Sequence, residues 1–121
     1  MILLSGKIYY DLIKERQARG FDHRVAFIRI EELSPFPFRE LLLVLKGYPG
    51  ATEFFFLQEE PKNQGAYTHV CSRINSVLAE LGNGAMVLYK GRKENALPAP
   101  GIGKIYVEQQ KAVIEDAFDA L

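Results

Sequence analysis

A single cysteine, Cys71, stands in the 121 residues. No internal disulfide framework can form, which suits a reducing cytosol or mitochondrial matrix. Within a helical pattern this thiol reads as a small buried apolar group rather than a reactive one. Excess charge is also missing: 15 basic and 15 acidic residues cancel, so no global field draws the chain to nucleic acid or an anionic membrane. No apolar run approaches the ~20 residues a membrane-spanning helix requires. Met1-Ile2-Leu3-Leu4 lacks the length and basic flank of a signal peptide. A strand pattern starts at the first residue, so the chain reads as a piece of a longer polypeptide. His23 and His69 are far apart and, with one cysteine, give no metal-ligand spacing.

What is present is 48% apolar content with interspersed charge, enough for one folded domain spanning residues 1–121. Ile2 to Leu4 read as a buried strand, with Ser5-Gly6 as a turn and cap for a helix that stops by Gly20. Val25 to Ile30 form a second, nearly unbroken apolar strand. Glu31-Glu32-Leu33-Ser34-Pro35-Phe36-Pro37-Phe38 is an extended connection, because each proline disfavours helix in its predecessor. Its apolar side chains, Phe36 and Phe38 among them, are expected to be exposed if neighbouring domains are absent. A helix from Phe38 ends at Gly47.

Glu53 to Gln58 is the third strand, Glu59 to Gly65 a strand-to-helix turn, and the helix from Tyr67 keeps Val70, Ile74, Val77, Leu78 and Leu81 on one face. Met86 to Tyr89 make a fourth strand and Lys90 to Gly103 a loop. Lys104-Ile105-Tyr106 suggests a short extended segment before a last helix marked by Val113, Ile114, Ala117, Phe118 and Leu121. This alternation predicts an α/β fold: one three-layer domain with a mainly parallel open sheet of four to five strands and helices on both faces.

In such sheets, sites gather where loops leave the carboxyl ends of the strands. Those loops carry Ser5-Gly6-Lys7, Arg29 with Glu31 and Glu32, Gln58-Glu59-Glu60 with Asn63 and Gly65, and Lys90 with Arg92 and Lys93. Ser5-Gly6-Lys7 offers free N–H groups, a hydroxyl and a cation for an anion, though it lacks the P-loop spacing. Arg92 and Lys93 could form the other half of such a site. Glu59 and Glu60 are adjacent, so at a strand end they point apart and cannot share a proton. No Ser-His-acid or Cys-His arrangement is supported. The isolated Gly-x-Gly pairs at Gly82/Gly84 and Gly101/Gly103 do not open a helix in the dinucleotide-binding manner. A receiver domain needs acidic residues after the first strand and a phospho-accepting aspartate after the third, where this chain has Ser5-Gly6-Lys7 and Gln58-Glu59-Glu60.

Four stretches taken in order carry a resemblance. They are Leu4-Ser5-Gly6-Lys7-Ile8-Tyr9-Tyr10, Arg29 to Pro37, Tyr48-Pro49-Gly50, and Gln58-Glu59-Glu60-Pro61-Lys62-Asn63-Gln64-Gly65-Ala66. Together they resemble the carboxyl-terminal, transketolase-like domain of the thiamine-dependent decarboxylating component of 2-oxoglutarate dehydrogenase, or its relative acting on 2-oxoadipate. The likeness runs from Ile2 to about Phe118 and includes Gly91-Arg92.

The resemblance implies a domain without catalytic residues or a cofactor of its own. Thiamine diphosphate and magnesium are held by preceding domains of the family, through a Gly-Asp-Gly motif that Gly82-Asn83-Gly84 does not reproduce. It implies a role in completing a homodimer that decarboxylates 2-oxoglutarate and passes succinyl to a lipoyl arm on an acyltransferase core, in a mitochondrial matrix or bacterial cytoplasm. Arg29, Glu31, Glu59, Glu60, Asn63 and Gly65 then become interface and structural residues. Some actinobacterial members bind acetyl-CoA at positions matching Arg92 and Lys93. Lysine in the second place lacks the planar fork for phosphate, so Ser5, Gly6, Lys7, Arg92 and Lys93 imply at most a weak anion or allosteric site. A free-standing nucleotide- or CoA-binding regulator, and a module that docks on 2-oxo acid dehydrogenase complexes, stay open as alternatives.

Overall fold

The computed structural model describes residues 1–95 and 101–119. In chain order the elements are β1 (Ile2–Leu4), α1 (Ile8–Arg19), β2 (Phe27–Arg29), α2 (Phe38–Lys46), β3 (Phe55–Pro61), α3 (Tyr67–Glu80), β4 (Leu88–Arg92) and α4 (Gly103–Asp116). The four strands form one sheet in the order β2-β1-β3-β4, every pair parallel. Because β2 lies on one side of β1 and β3 on the other, the winding reverses between β1 and β3. That gap is the topological switch point.

Period-two alternation divides the core into two layers. Leu3 and Phe56 face α2 and α3, packing with Leu41, Leu45, Val70, Ile74, Val77 and Leu78. Ile2, Leu4 and Leu57 face the other way, onto Ile8 and Leu12 of α1 and Val113, Ala117 and Phe118 of α4. Both faces are covered, which is why the strands read as near-continuous apolar runs. No helix among the described residues is long and apolar enough to cross a membrane.

Five local expectations change. The β2 strand is shorter than Val25–Ile30, although Ile2 N–H to Ala26 O and Ile30 N–H to Leu4 O extend its pairing with β1. β3 runs on through Glu59, Glu60 and Pro61, and β4 through Lys90, Gly91 and Arg92, where a turn and a loop were expected. The two prolong each other: Gln58 pairs with Gly91 and Pro61 with Arg92 across an irregularity in register. The extended segment expected at Lys104-Ile105-Tyr106 is instead the first turn of α4. Of the proline-flanked aromatics, Phe38 is exposed but Phe36 is buried, its ring edge-on to Phe38 with centroids 4.8 Å apart. The expected marker Leu121 lies outside the described residues.

Candidate functional site

Helices return each strand to the same edge, so the loops after β1, β2, β3 and β4 meet at the carboxyl ends. Gln58, 3% exposed, organises the loop after β3. Its amide nitrogen donates to Gln64 O (2.7 Å), Pro61 O (2.8 Å) and Glu60 O (3.2 Å). Its carbonyl accepts the Tyr67 N–H at 2.8 Å, so one side chain both closes the turn and caps α3. The helix has no other side-chain cap. Sequence reasoning placed this residue at the carboxyl edge but gave it no role of its own. The signal was there: Gln58 continues the inward register of Phe54 and Phe56, where an apolar residue is the rule.

Glu59 and Glu60 point apart, as strand-end neighbours do. Glu59 turns toward α4, where Oε1 accepts a hydrogen bond from Gln110 Nε2 at 2.7 Å. Arg92 completes this brace. Its guanidinium donates to Glu59 O, to Gln109 Oε1 (3.3 Å) and to Gln110 Oε1 (2.9 Å), and lies over the Tyr106 ring at 5.2 Å. A planar fork with several donors suits this job. Gln109 and Gln110 escaped sequence reading because the last helix was marked only from Val113 onward.

Glu60 turns instead toward α3, lining a hollow of about 340 Å³ with Ser5, Leu33, Ser34, Gly65 and His69. His69 Nε2 contacts Leu33 O at 2.7 Å. Gly65 adopts φ +67°, and a Cβ there would stand 3.0 Å from Glu60 Oε2 and 3.1 Å from Gln58 Oε1; only glycine suits both constraints. Asn63 and Gln64 pin the same turn to the loop after β4. Both side chains donate to Asn95 O at 2.9 Å, and Asn63 Oδ1 accepts the Asn95 N–H at 3.0 Å.

On the other side of the switch point, the Gly6 N–H donates to both Glu31 oxygens, at 3.3 and 3.2 Å. Ser5 does not cap α1, as none of its side-chain atoms bonds the helix start; the carboxylate from the loop after β2 approaches that end instead. Glu31 also accepts from Arg29 Nε at 3.0 Å, a bond that raises the basicity of the guanidinium. The Arg29 plane lies over Tyr9 at 4.5 Å and Tyr10 at 5.5 Å. The predicted residues thus fall into two linked groups: Glu59, Glu60, Asn63, Gly65 and Arg92 on the β3–β4 side, and Gly6, Arg29 and Glu31 on the β1–β2 side. Glu59 Oε2 is 4.0 Å from where a Gly6 Cβ would stand, so the groups meet at the switch point. Lys7 and Lys93 are exposed at its margins.

Two phenols lie behind the brace. Tyr67 and Tyr89 stack edge-on with centroids 4.9 Å apart, and burial pushes each up to about 12; a hydrogen bond between Tyr67 and Cys71 adds to the shift of the former. Cys71 itself is half-buried against the α2–α3 core. In the unfolded chain the phenols ionise near their ordinary 10.0. Between that value and about 12 the unfolded state therefore binds fewer protons than the folded one, and stability falls as pH rises. Urea midpoints measured across this range are expected to decline, with phenolate absorbance of the folded chain lagging behind that of the unfolded chain. A Tyr67→Phe, Tyr89→Phe chain is expected to decline less.

A family model described as 2-oxoglutarate dehydrogenase C-terminal matches residues 1–118. The chain belongs to this family. Proteins similar to this 2-oxoglutarate dehydrogenase C-terminal domain include the 2-oxoglutarate dehydrogenase E1 components of Rickettsia felis, 41% identical over 118 residues, and Coxiella burnetii, 41% over 120 residues. Each match covers 98% of this chain but 12% of the relative. The E1 component of Cupriavidus necator is 41% identical over 121 residues, covering 100% of this chain and 12% of its own length. The C-terminal domain in hand therefore corresponds to a small share of those proteins.

Proposed function

We propose that this chain acts as the non-catalytic C-terminal domain of a 2-oxoglutarate dehydrogenase E1 component, completing its homodimer and buttressing the domains that carry out chemistry. In this reading the whole enzyme decarboxylates 2-oxoglutarate and transfers succinyl to the lipoyl arm of an acyltransferase core. One observation carries it: the polar residues of the carboxyl edge are arranged as braces. Glu59 is tied to Gln110, Arg92 to three acceptors, Glu31 to Gly6 and Arg29, and Asn63 to Asn95. A general acid, base or nucleophile needs a partner set aimed at a substrate; these groups are aimed at one another.

The family also implies thiamine diphosphate and magnesium, and the described residues offer no donor set suited to the metal. Among the described residues no three His, Cys, Asp or Glu side chains converge. Gly82-Asn83-Gly84 lies in the connection from α3 to β4, at the amino edge of the sheet and away from the switch point. Both groups belong, in this proposal, to other domains of the E1 protein.

The test is a Glu59→Ala substitution in an E1 protein carrying this domain. Removing the carboxylate unties Gln110 and loosens α4, so the dimer is expected to dissociate more readily while thiamine diphosphate affinity stays unchanged. Intact dimers with lost cofactor affinity would contradict the proposal, as would 2-oxoglutarate turnover by the isolated chain.

A further inference from the structure

The outer side of α2 exposes apolar side chains between charged ones, Arg39, Glu40 and Lys46. Leu43, Val44 and Tyr48 are 57%, 43% and 45% exposed, although Leu41 and Leu45 of the same helix already fill its core positions; Phe38, also exposed, lies on the core-facing side against Phe36. Leu43 and Val44 share one face with Glu40 and Gly47, at spacings that align on a helix. Single exposed apolar residues are ordinary; contiguous ones mark a contact surface. Tyr48, just past the helix, extends the face into a hollow of about 390 Å³ at the amino edge of the sheet, lined also by Met1, Arg24, Thr52 and Glu53. The Met1 nitrogen lies in this hollow, 2.6 Å from Glu53 O.

The E1 components that match this chain devote 12% of their length to the corresponding segment, and the matching family model is C-terminal. In such a protein the preceding polypeptide joins the domain at β1, beside this hollow and the end of α2. We infer that the outer face of α2, with Tyr48 and the amino-edge hollow, is the seat of the preceding part of an E1 polypeptide. This rests on the E1 reading proposed above and adds to it a second contact surface, opposite in character to the polar carboxyl edge. Covalent continuity favours this occupant: a tethered neighbour is present at high effective concentration, and Arg39, Glu40 and Lys46 at the rim of the apolar residues can pair with polar groups of that neighbour as the rim of an interface does.

The test compares the isolated chain with a chimera in which this chain replaces the matching segment of the Cupriavidus necator E1 component. Hydrogen exchange is read for residues 38–53 in both, and the Leu43→Glu, Val44→Glu pair is introduced in both. The expected result is exchange slowed on the order of tenfold or more over residues 38–53 in the chimera, and a lower thermal midpoint in the substituted chimera. The isolated chain should keep its midpoint, because the two positions touch solvent there. Equal exchange of residues 38–53 in both contexts, with protection appearing at residues 58–66, would overturn the inference and leave the E1 reading standing. Protection nowhere in the segment would overturn both. An isolated chain that is a dimer, turned monomeric by the paired substitution, would assign the face to a second copy and equally overturn the inference.

Discussion

Gln58→Leu is expected to lower the urea midpoint of the chain by roughly 1–2 M, the largest loss of any single polar substitution in the domain. The leucine fits the space and removes every hydrogen bond. It strands the carbonyls of Glu60, Pro61 and Gln64 and the N–H of Tyr67, all of which now meet at one buried amide. A stranded buried polar group costs about 1–3 kcal/mol, and water reaching the turn recovers part of it, so a total of roughly 3–4 kcal/mol is expected. That is a large share of the ~5–15 kcal/mol that holds a domain together. Gln58→Glu separates geometry from chemistry. Its carboxylate can still accept from Tyr67 but faces three carbonyls without a proton. Burial and those carbonyls raise its pKa in the folded chain above the unfolded value. The deficit is then smallest at acid pH, where the carboxyl carries its proton in both states, and grows as pH rises through the unfolded value. A deficit independent of pH would mean that the side chain has left the turn.

Gly91→Ala is the second large effect, and it acts on the backbone. Gly91 has φ +147° near the end of β4, opposite Gln58 in the ladder. An added Cβ would stand 2.6 Å from the Tyr89 hydroxyl and 2.7 Å from Gln58 O. The hydroxyl can swing aside, but the backbone oxygen belongs to the strand pair and cannot. The expected cost is about 2–4 kcal/mol, from the strained φ and the displaced strand end together. Because Arg92 is the next residue, the brace to Glu59, Gln109 and Gln110 should loosen too, and amides in the first half of α4 should exchange faster than those in α2. Gly84→Ala is the control. Nothing stands within 4 Å of its Cβ position, and a change within about 0.5 kcal/mol is expected. Equal losses at Gly84 and Gly91 would show that the close approach in β4 has no energetic weight.

The alternation of strands and helices could be read from the chain because each element repeats one period. Val70, Ile74, Val77 and Leu78 all enter the core as their spacing requires, and the run from Phe54 to Leu57 carries β3. What could not be read depends on partners distant in sequence. Glu59-Glu60-Pro61 and Lys90-Gly91-Arg92 have the composition of turns, yet become strand because each supplies the other's pairing. The start of α1 looked like a serine cap; its loop is held by Glu31, 25 residues beyond Gly6. Gly103-Lys104-Ile105-Tyr106 has weak helical character, and the helix there is tied down by Arg92 through Gln109 and Gln110. The turn at residues 59–65 was visible as an odd concentration of chemistry, but the residue that shapes it, Gln58, belongs by position to the apolar strand before it.

The shortness of β1 bears on the order of folding. Three residues at the start of the chain form the inner strand onto which β2 and β3 both pair. During synthesis Ile2-Leu3-Leu4 emerge first but find their second neighbour only once residues 55–57 have followed. Until then the middle of the sheet is a loose end. Pairing β1 with β3 closes a loop of about fifty residues, and contacts that distant in sequence slow folding relative to local ones. In an E1 protein, whatever polypeptide leads into Met1 is attached directly to this strand, and its tension or slack would set how readily β1 meets β3.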